Sequence, residues 1–193
     1  MQKTLIVIGP SASGKSTVVR ALERRGMVRV LPTWTTRPPR PDERDGALEH
    51  RFVTEAEFDE LWGAGFFLGT VRLPGLQYRY GLPHLRLPDG PTDVVGTILA
   101  RAPFLEALKA FVPSALVYQI EDTTSRARLR LLERGCDENE LRARLDCNAE
   151  ETAAGRAIAD RVFTNDATIV DLVDNVAAAL RNDLAATVGL VRS

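Results

Sequence analysis

"TLIVIGPSASGKSTVVRALERRG", Thr4 to Gly26, is the stretch that decides the fold. Thr4 to Ile8 is a short apolar run rich in β-branched residues, the composition of a buried strand. Gly9 to Thr17, "GPSASGKST", fits G-x-x-x-x-G-K-[ST] in full. "STVVRALERRG" then reads as an amphipathic helix closing at Gly26. Gly9 and Gly14 let the loop wrap closely, so that backbone N–H groups from Ser11, Ala12 and Ser13 can face phosphate oxygens. The helix N-terminus adds a favourable dipole. Lys15 is expected to reach the β- and γ-phosphates, and Ser16, followed by Thr17, to ligate Mg²⁺. The loop predicts ATP or GTP as ligand and leaves open what is done with it.

Composition narrows the class. The chain has 193 residues, 45% hydrophobic and 26% charged, an ordinary globular balance with enough length for a sizeable core. A formal net charge of −1 provides no global field toward nucleic acid or anionic lipid. Cys136 and Cys147 lack metal-site spacing, and the N-terminal apolar run is too short to span a bilayer and is not a signal peptide. The expectation is a cytoplasmic protein with no nucleic-acid or membrane partner. Its oligomeric state is not legible.

Three stretches downstream carry further chemistry. "TWTTRPPRPDERDGALEHRFVTEAEF", residues 33–58, is stiffened by Pro38, Pro39 and Pro41. Arg37 and Arg40 sit three apart on it, placed either to converge on one phosphate or simply to solvate a loop. "VVGTILARAP", residues 94–103, reads as a buried strand ending in Arg101, and ligands of open α/β sheets bind at carboxyl ends of strands. "SRARLRLLERG", residues 125–135, is helical with Gly135 as its C-cap. Arg126, Arg130 and Arg134 follow one another at i,i+4, a like-charge stack that a bound anion, or acids such as Glu133, Asp137, Glu138 and Glu140, would relieve. Ile169, Leu172, Val173, Val176 and Leu180 mark a C-terminal packing helix.

Taken in order, "GPSASGKST", "TTRPPRPDERDG", "FVTEAEF", "YRYG" (78–81), "RLLERG" (130–135), "RARL" (142–145) and "DRVFTND" (160–166) resemble the guanylate kinase family. The resemblance implies an α/β fold: a P-loop parallel sheet with helices on both sides, in one domain over residues 1–193. It implies a small acceptor-binding insertion near 33–88 and an arginine-bearing lid near 124–147. Thr33, Arg37, Arg40 and Tyr80 would then hold the acceptor phosphate, with His50 standing where the family has a tyrosine. Arg130, Arg134 and Arg144 would join Lys15 around the transferring group, and Asn165 and Asp166 would lie near the adenine of ATP.

The pattern also breaks. The family reads guanine with two carboxylates and a hydroxyl; the matching positions here are Gly69, Arg101 and Leu82. Losing such acceptors leaves guanine N–H groups unpaired at about 1–3 kcal/mol each, and Arg101 would turn the pocket anion-seeking. These positions, with "LEH" before "FVTEAEF" and "RAP" after the strand, make the chain similar to ribose 1,5-bisphosphate phosphokinases, although "TTRPPRPDE" is closer to nucleotide kinases. The main expectation is therefore an ATP- and Mg²⁺-dependent kinase of a small phosphorylated acceptor, a ribose 1,5-bisphosphate giving 5-phosphoribosyl diphosphate. A nucleoside monophosphate kinase acting on GMP is the alternative, and a non-catalytic partner-binding module the second. A phosphate acceptor is already a nucleophile, so no general base is required. Asp93 lies at the wrong end of its strand to be a second Mg²⁺ ligand.

Overall fold

The computed structural model describes residues 3–40, 43, 48–72, 77–84, 94–98, 105 and 113–190. Two sheets organise them. The larger contains β1 (Lys3–Ile8), β2 (Arg29–Val30), β7 (Val94–Ile98), β8 (Leu116–Glu121) and β9 (Arg161–Thr164), in the order β2-β7-β1-β8-β9. Every pairing in it is parallel, with Leu5 opposite Gly96 on one side and Leu116 on the other. The α-helices are α1 (Lys15–Arg24), α2 (Glu55–Gly63), α3 (Thr124–Glu133), α4 (Glu138–Ile158) and α5 (Ile169–Leu190).

The apolar run of β1 is continuous because both faces are covered. Leu5 and Val7 pack with Val18, Val19 and Leu22 of α1 and with Leu172, Val173, Val176 and Leu180 of α5. Ile6 and Ile8 point the other way, into a cluster with Leu82, Leu105 and Val117, against which Ile158 from the end of α4 packs. A fully buried side chain of this kind contributes about 1.5–3 kcal/mol. Gly26 (φ 65°) and Gly135 (φ 76°) sit just past the ends of α1 and α3, in the left-handed conformation that terminates helices. Ile169, expected in the apolar stripe of α5, is 39% exposed, because the stripe turns inward only from Leu172.

Residues 33–83 contain a second sheet in the order β4-β3-β6-β5, from β3 (Thr33–Thr35), β4 (His50–Phe52), β5 (Phe67–Arg72) and β6 (Arg79–Pro83). β3 pairs parallel with β4, while β6 lies antiparallel between β3 and β5. Helix α2 starts with a complete capping box: Thr54 Oγ1 accepts from Glu57 N, and the Glu57 carboxylate accepts from Thr54 N at 2.7 Å. Its Phe58 stacks on Phe67 at 4.7 Å. Arg20 of α1 reaches this sheet through an ion pair with Glu49, which is 1% exposed. Among the described residues no helix is long and apolar enough to cross a membrane.

Candidate active site

The loop between β1 and α1 has the backbone that its glycines predict. Gly9 adopts φ 136° and Gly14 φ 109°, and Ala12 is left-handed at φ 65°. A Cβ on Gly9 would meet the Ile120 carbonyl oxygen at 2.0 Å, so no other residue fits against β8 there. Ser11 N–H donates to Asn148 Oδ1 at 2.9 Å, and Asn165 Nδ2 donates to the Ser13 carbonyl at 3.0 Å. The Ser13 hydroxyl is buried without a partner. Asn165 thus braces the loop itself, and Asp166 beside it is exposed.

Lys15 opens α1 with its ammonium folded back on the loop, donating to the Gly9 carbonyl at 2.8 Å and the Pro10 carbonyl at 2.6 Å. Burial lowers its pKa from the usual 10.5 to about 8; Glu151 works against this, while Arg134, Arg40 and Arg144 push it the same way. Three arginines from three separate segments therefore act on one ammonium. Ser16 is half-buried on the first turn of α1 and Thr17 exposed. Among the described residues no group of three or more His, Cys, Asp or Glu side chains is arranged for a metal. Mg²⁺ keeps several waters and binds largely through substrate phosphates, so one hydroxyl beside a phosphate loop is a donor set that fits it.

On the acceptor side, the structure brings Arg37 and Arg40 together on Glu43. The Arg37 guanidinium donates to both Glu43 oxygens, at 2.8 and 2.9 Å, and lies over the Phe52 ring at 5.2 Å. Arg40 adds its backbone N–H at 2.8 Å and its guanidinium at 3.3 Å. Arg37 and Glu43 are both 4% exposed, so the pair is desolvated. Thr33 is buried, and its hydroxyl lies 2.9 Å from His50 Nδ1 and 3.2 Å from the Glu49 carbonyl. Burial and the neighbouring Arg37 hold His50 well below its usual 6.5, at about 4, so it is neutral at physiological pH. Its ring lies 6.3 Å from that of Tyr80.

The residues expected in a lid lie on α3, its C-cap and α4, and these helices pack onto the phosphate loop: Ala12, Leu131 and Leu141 form one apolar cluster. Arg130 donates to the Ala12 carbonyl at 3.0 Å and pairs with Asp122. Arg144 donates to Glu140 at 2.6 Å and reaches Ser11 Oγ at 3.4 Å. Arg126 caps the Asn165 carbonyl at 2.9 Å. Arg134 follows the last turn of α3 as its C-cap. The like-charge stack expected along α3 is thus relieved within the protein by Asp122 and by loop carbonyls.

Five contributors went unnoticed in the sequence: Glu43, Asp122, Asn148, Glu121 and Glu151. Glu121 is 5% exposed and pairs with Arg156 of α4 at 2.5 Å. A signal existed only for Glu43, which stands three residues after Arg40 and six after Arg37 inside the proline-stiffened segment. Of the positions read as departures from guanine recognition, Gly69 and Leu82 are cross-strand partners in β5 and β6. Leu82 is 2% exposed within the core against Ile6 and Ile8. Arg101 lies outside the described residues.

Proteins of known identity resemble this chain along most of its length. A guanylate kinase of Nocardia farcinica (strain IFM 10152) is 34% identical over 170 residues, covering 85% of this chain and 86% of that protein. The chain belongs to the guanylate kinase family. A guanylate kinase of Thermobifida fusca (strain YX) is 36% identical over 160 residues, 79% of each chain. The crystal structure of guanylate kinase from Anaplasma phagocytophilum superposes with a TM-score of 0.71 at 22% identity, over 94% of this chain and 86% of that one, which shows a common fold. No family model matches the chain. As a family member the protein is an ATP-dependent phosphotransferase with a phosphate-bearing acceptor. The expected ribose 1,5-bisphosphate acceptor is overturned: relatives matching along most of the chain are guanylate kinases, the alternative in the sequence reading. Gly69, Leu82 and Arg101, with "LEH" and "RAP", pointed to the sugar-phosphate branch, and the identity of these relatives along most of the chain outweighs them.

Proposed function

We propose that this guanylate kinase family member transfers the γ-phosphoryl group of ATP to the phosphate of GMP. The observation that carries the reading is the convergence on Lys15. Arg40 comes from the acceptor segment, and Arg134 and Arg144 from the two lid helices, yet all three act on the ammonium of the phosphate loop. Arg130 and Arg144 bond the phosphate loop at Ala12 and Ser11, and Arg40 lies near enough to Lys15 to act on its charge, which supports donor and acceptor groups sharing one cleft, as in-line transfer between two phosphates requires.

When bound, Mg²⁺·ATP supplies the phosphoryl group and part of the charge neutralisation. The chain does the rest by placement. The loop N–H groups and Lys15 hold the donor phosphates, and Ser16 offers its hydroxyl to the cation. Arg37 and Arg40 orient the acceptor phosphate from the Glu43 anchor, with neutral His50 and Tyr80 beside them. Arg130, Arg134 and Arg144 offset charge as it spreads during transfer. No side chain has to remove a proton, because the attacking oxygen is already anionic.

The test is ADP formation with Mg²⁺·ATP and each of GMP, AMP, CMP and UMP. The expected result is turnover with GMP well above the others. Replacing Arg40 with Met should raise the KM for GMP about tenfold or more, the value of a charge-assisted bond of about 1.5–3 kcal/mol, while leaving the KM for ATP within about threefold. ADP release that GMP does not stimulate would refute the proposal.

A further inference from the structure

We propose that Asp122 is a positioning residue that clamps the Arg130 guanidinium over the phosphate loop before nucleotide arrives. The inference rests on the phosphotransferase reading of the site. Asp122 directly follows β8, the strand beside β1, and its side chain is completely out of solvent. One carboxylate oxygen, Oδ1, accepts from Thr123 N–H at 2.7 Å. The other, Oδ2, accepts from Arg130 Nη1, and the same Nη1 donates to the carbonyl of Ala12 at 3.0 Å. A single nitrogen therefore ties the lid helix to the strand end and to the loop. The Arg130 side chain remains 33% exposed, so the clamp does not seal the guanidinium away.

The need for a clamp is electrostatic. Lys15, Arg40, Arg134 and Arg144 act on one another across this cleft. In the empty site, a further cation at the loop would be repelled toward solvent. A buried carboxylate fixed by its own backbone bond holds it there, because an unpaired buried charge is costly for either partner to leave behind. Two further arginines of these helices have their own holders, Glu140 for Arg144 and the Asn165 carbonyl for Arg126. Asp122 supplies the same service for Arg130, which bonds the Ala12 carbonyl of the phosphate loop.

The clamp predicts a split between rate and affinity. Asp122→Asn keeps the shape and an oxygen for Thr123 N–H but removes negative charge from beside the triphosphate. The KM for ATP should stay the same or fall, while kcat falls about tenfold because Arg130 is no longer held in place. In an Arg130→Met background the same change should alter kcat by less than about twofold, since its target is gone. The direct readout is ¹⁵N relaxation of Arg130 Nε–H in the nucleotide-free protein: an order parameter near about 0.8 should drop below about 0.6 in Asp122→Asn. Asp122→Ser carries the same readouts if the Asn variant does not fold. An unchanged order parameter, a KM for ATP that rises as kcat falls, or additive losses in the double variant would overturn the clamp. If GMP is not turned over by the wild type, the relaxation contrast alone decides the clamp, and the failure counts only against the acceptor reading.

Discussion

Changing Glu43 to Gln should expose how much of the acceptor segment is held by one carboxylate. Glu43 accepts four hydrogen bonds, two from the Arg37 fork and two from Arg40. Burial pushes its carboxyl up, but the bonds from Arg37 and Arg40 outweigh that and hold it at about 2 instead of the usual 4.5. At about 1.4 kcal/mol per pH unit, the folded state favours the ionised form by about 3 kcal/mol. The Arg40 side chain is 25% exposed, and solvent screening there trims the figure to about 2 kcal/mol. For a chain of this length that is a fall in Tm of about 4–8 °C. Since the folded value lies below the unfolded one, the contribution is complete above pH 4.5 and disappears as pH falls through about 2. Urea unfolding of wild type and Glu43→Gln across pH 2–7 measures it. The difference in stability should be about 2 kcal/mol at pH 7 and shrink steadily on acidification. A difference below about 0.5 kcal/mol at pH 7, or one that does not change with pH, would refute the view of Glu43 as anchor for both arginines.

Two further outcomes follow from the phosphate loop. Lys15 has a folded value near 8 against the usual 10.5, so the unfolded chain binds the extra proton between those limits and stability rises with pH across that window; Lys15→Met should abolish the rise. Mg²⁺·ATP restores the proton, so calorimetry at pH 9 in buffers of different ionisation enthalpy should detect proton uptake on binding, and none at all would contradict the buried ammonium. Gly9→Ala should cost more than about 3 kcal/mol in urea unfolding, or prevent folding, because its Cβ would sit 2.0 Å from the Ile120 oxygen. The control is Gly26→Ala: it has nothing within 4 Å and bears only the left-handed backbone penalty of about 1–2 kcal/mol.

The phosphate loop was legible because its chemistry is local: a strand, two strained glycines and a helix start within about twenty residues. The parallel sheet followed from family motifs spaced along the chain, and the same motifs marked Arg130, Arg134 and Arg144 as candidates. The ion-pair partners did not follow: Asp122 looks like any surface acid until the fold buries it, and only Glu43 carried a signal, its spacing to Arg40 and Arg37. Thr33 was legible as a candidate acceptor ligand, but not that its hydroxyl bonds the Glu49 carbonyl and lies beside His50. Leu82 was legible as an apolar residue in place of a hydroxyl, but not its burial against Ile6 and Ile8. In both cases the residue type was visible in the sequence but the direction of the side chain was not, because that depends on strand register in the four-stranded sheet.

The placement of β1 at the centre of its sheet has a consequence for biosynthesis. Its flanking strands lie roughly ninety residues or more further along the chain, starting at Val94 and Leu116. At translation speeds of about 5–20 residues per second, a nascent β1 spends several seconds with neither edge covered. The four strands of the smaller sheet all fall within residues 33–83 and can join one another sooner. On the ribosome the smaller sheet can thus close while the strand leading into the phosphate loop is still an apolar ribbon without sheet partners.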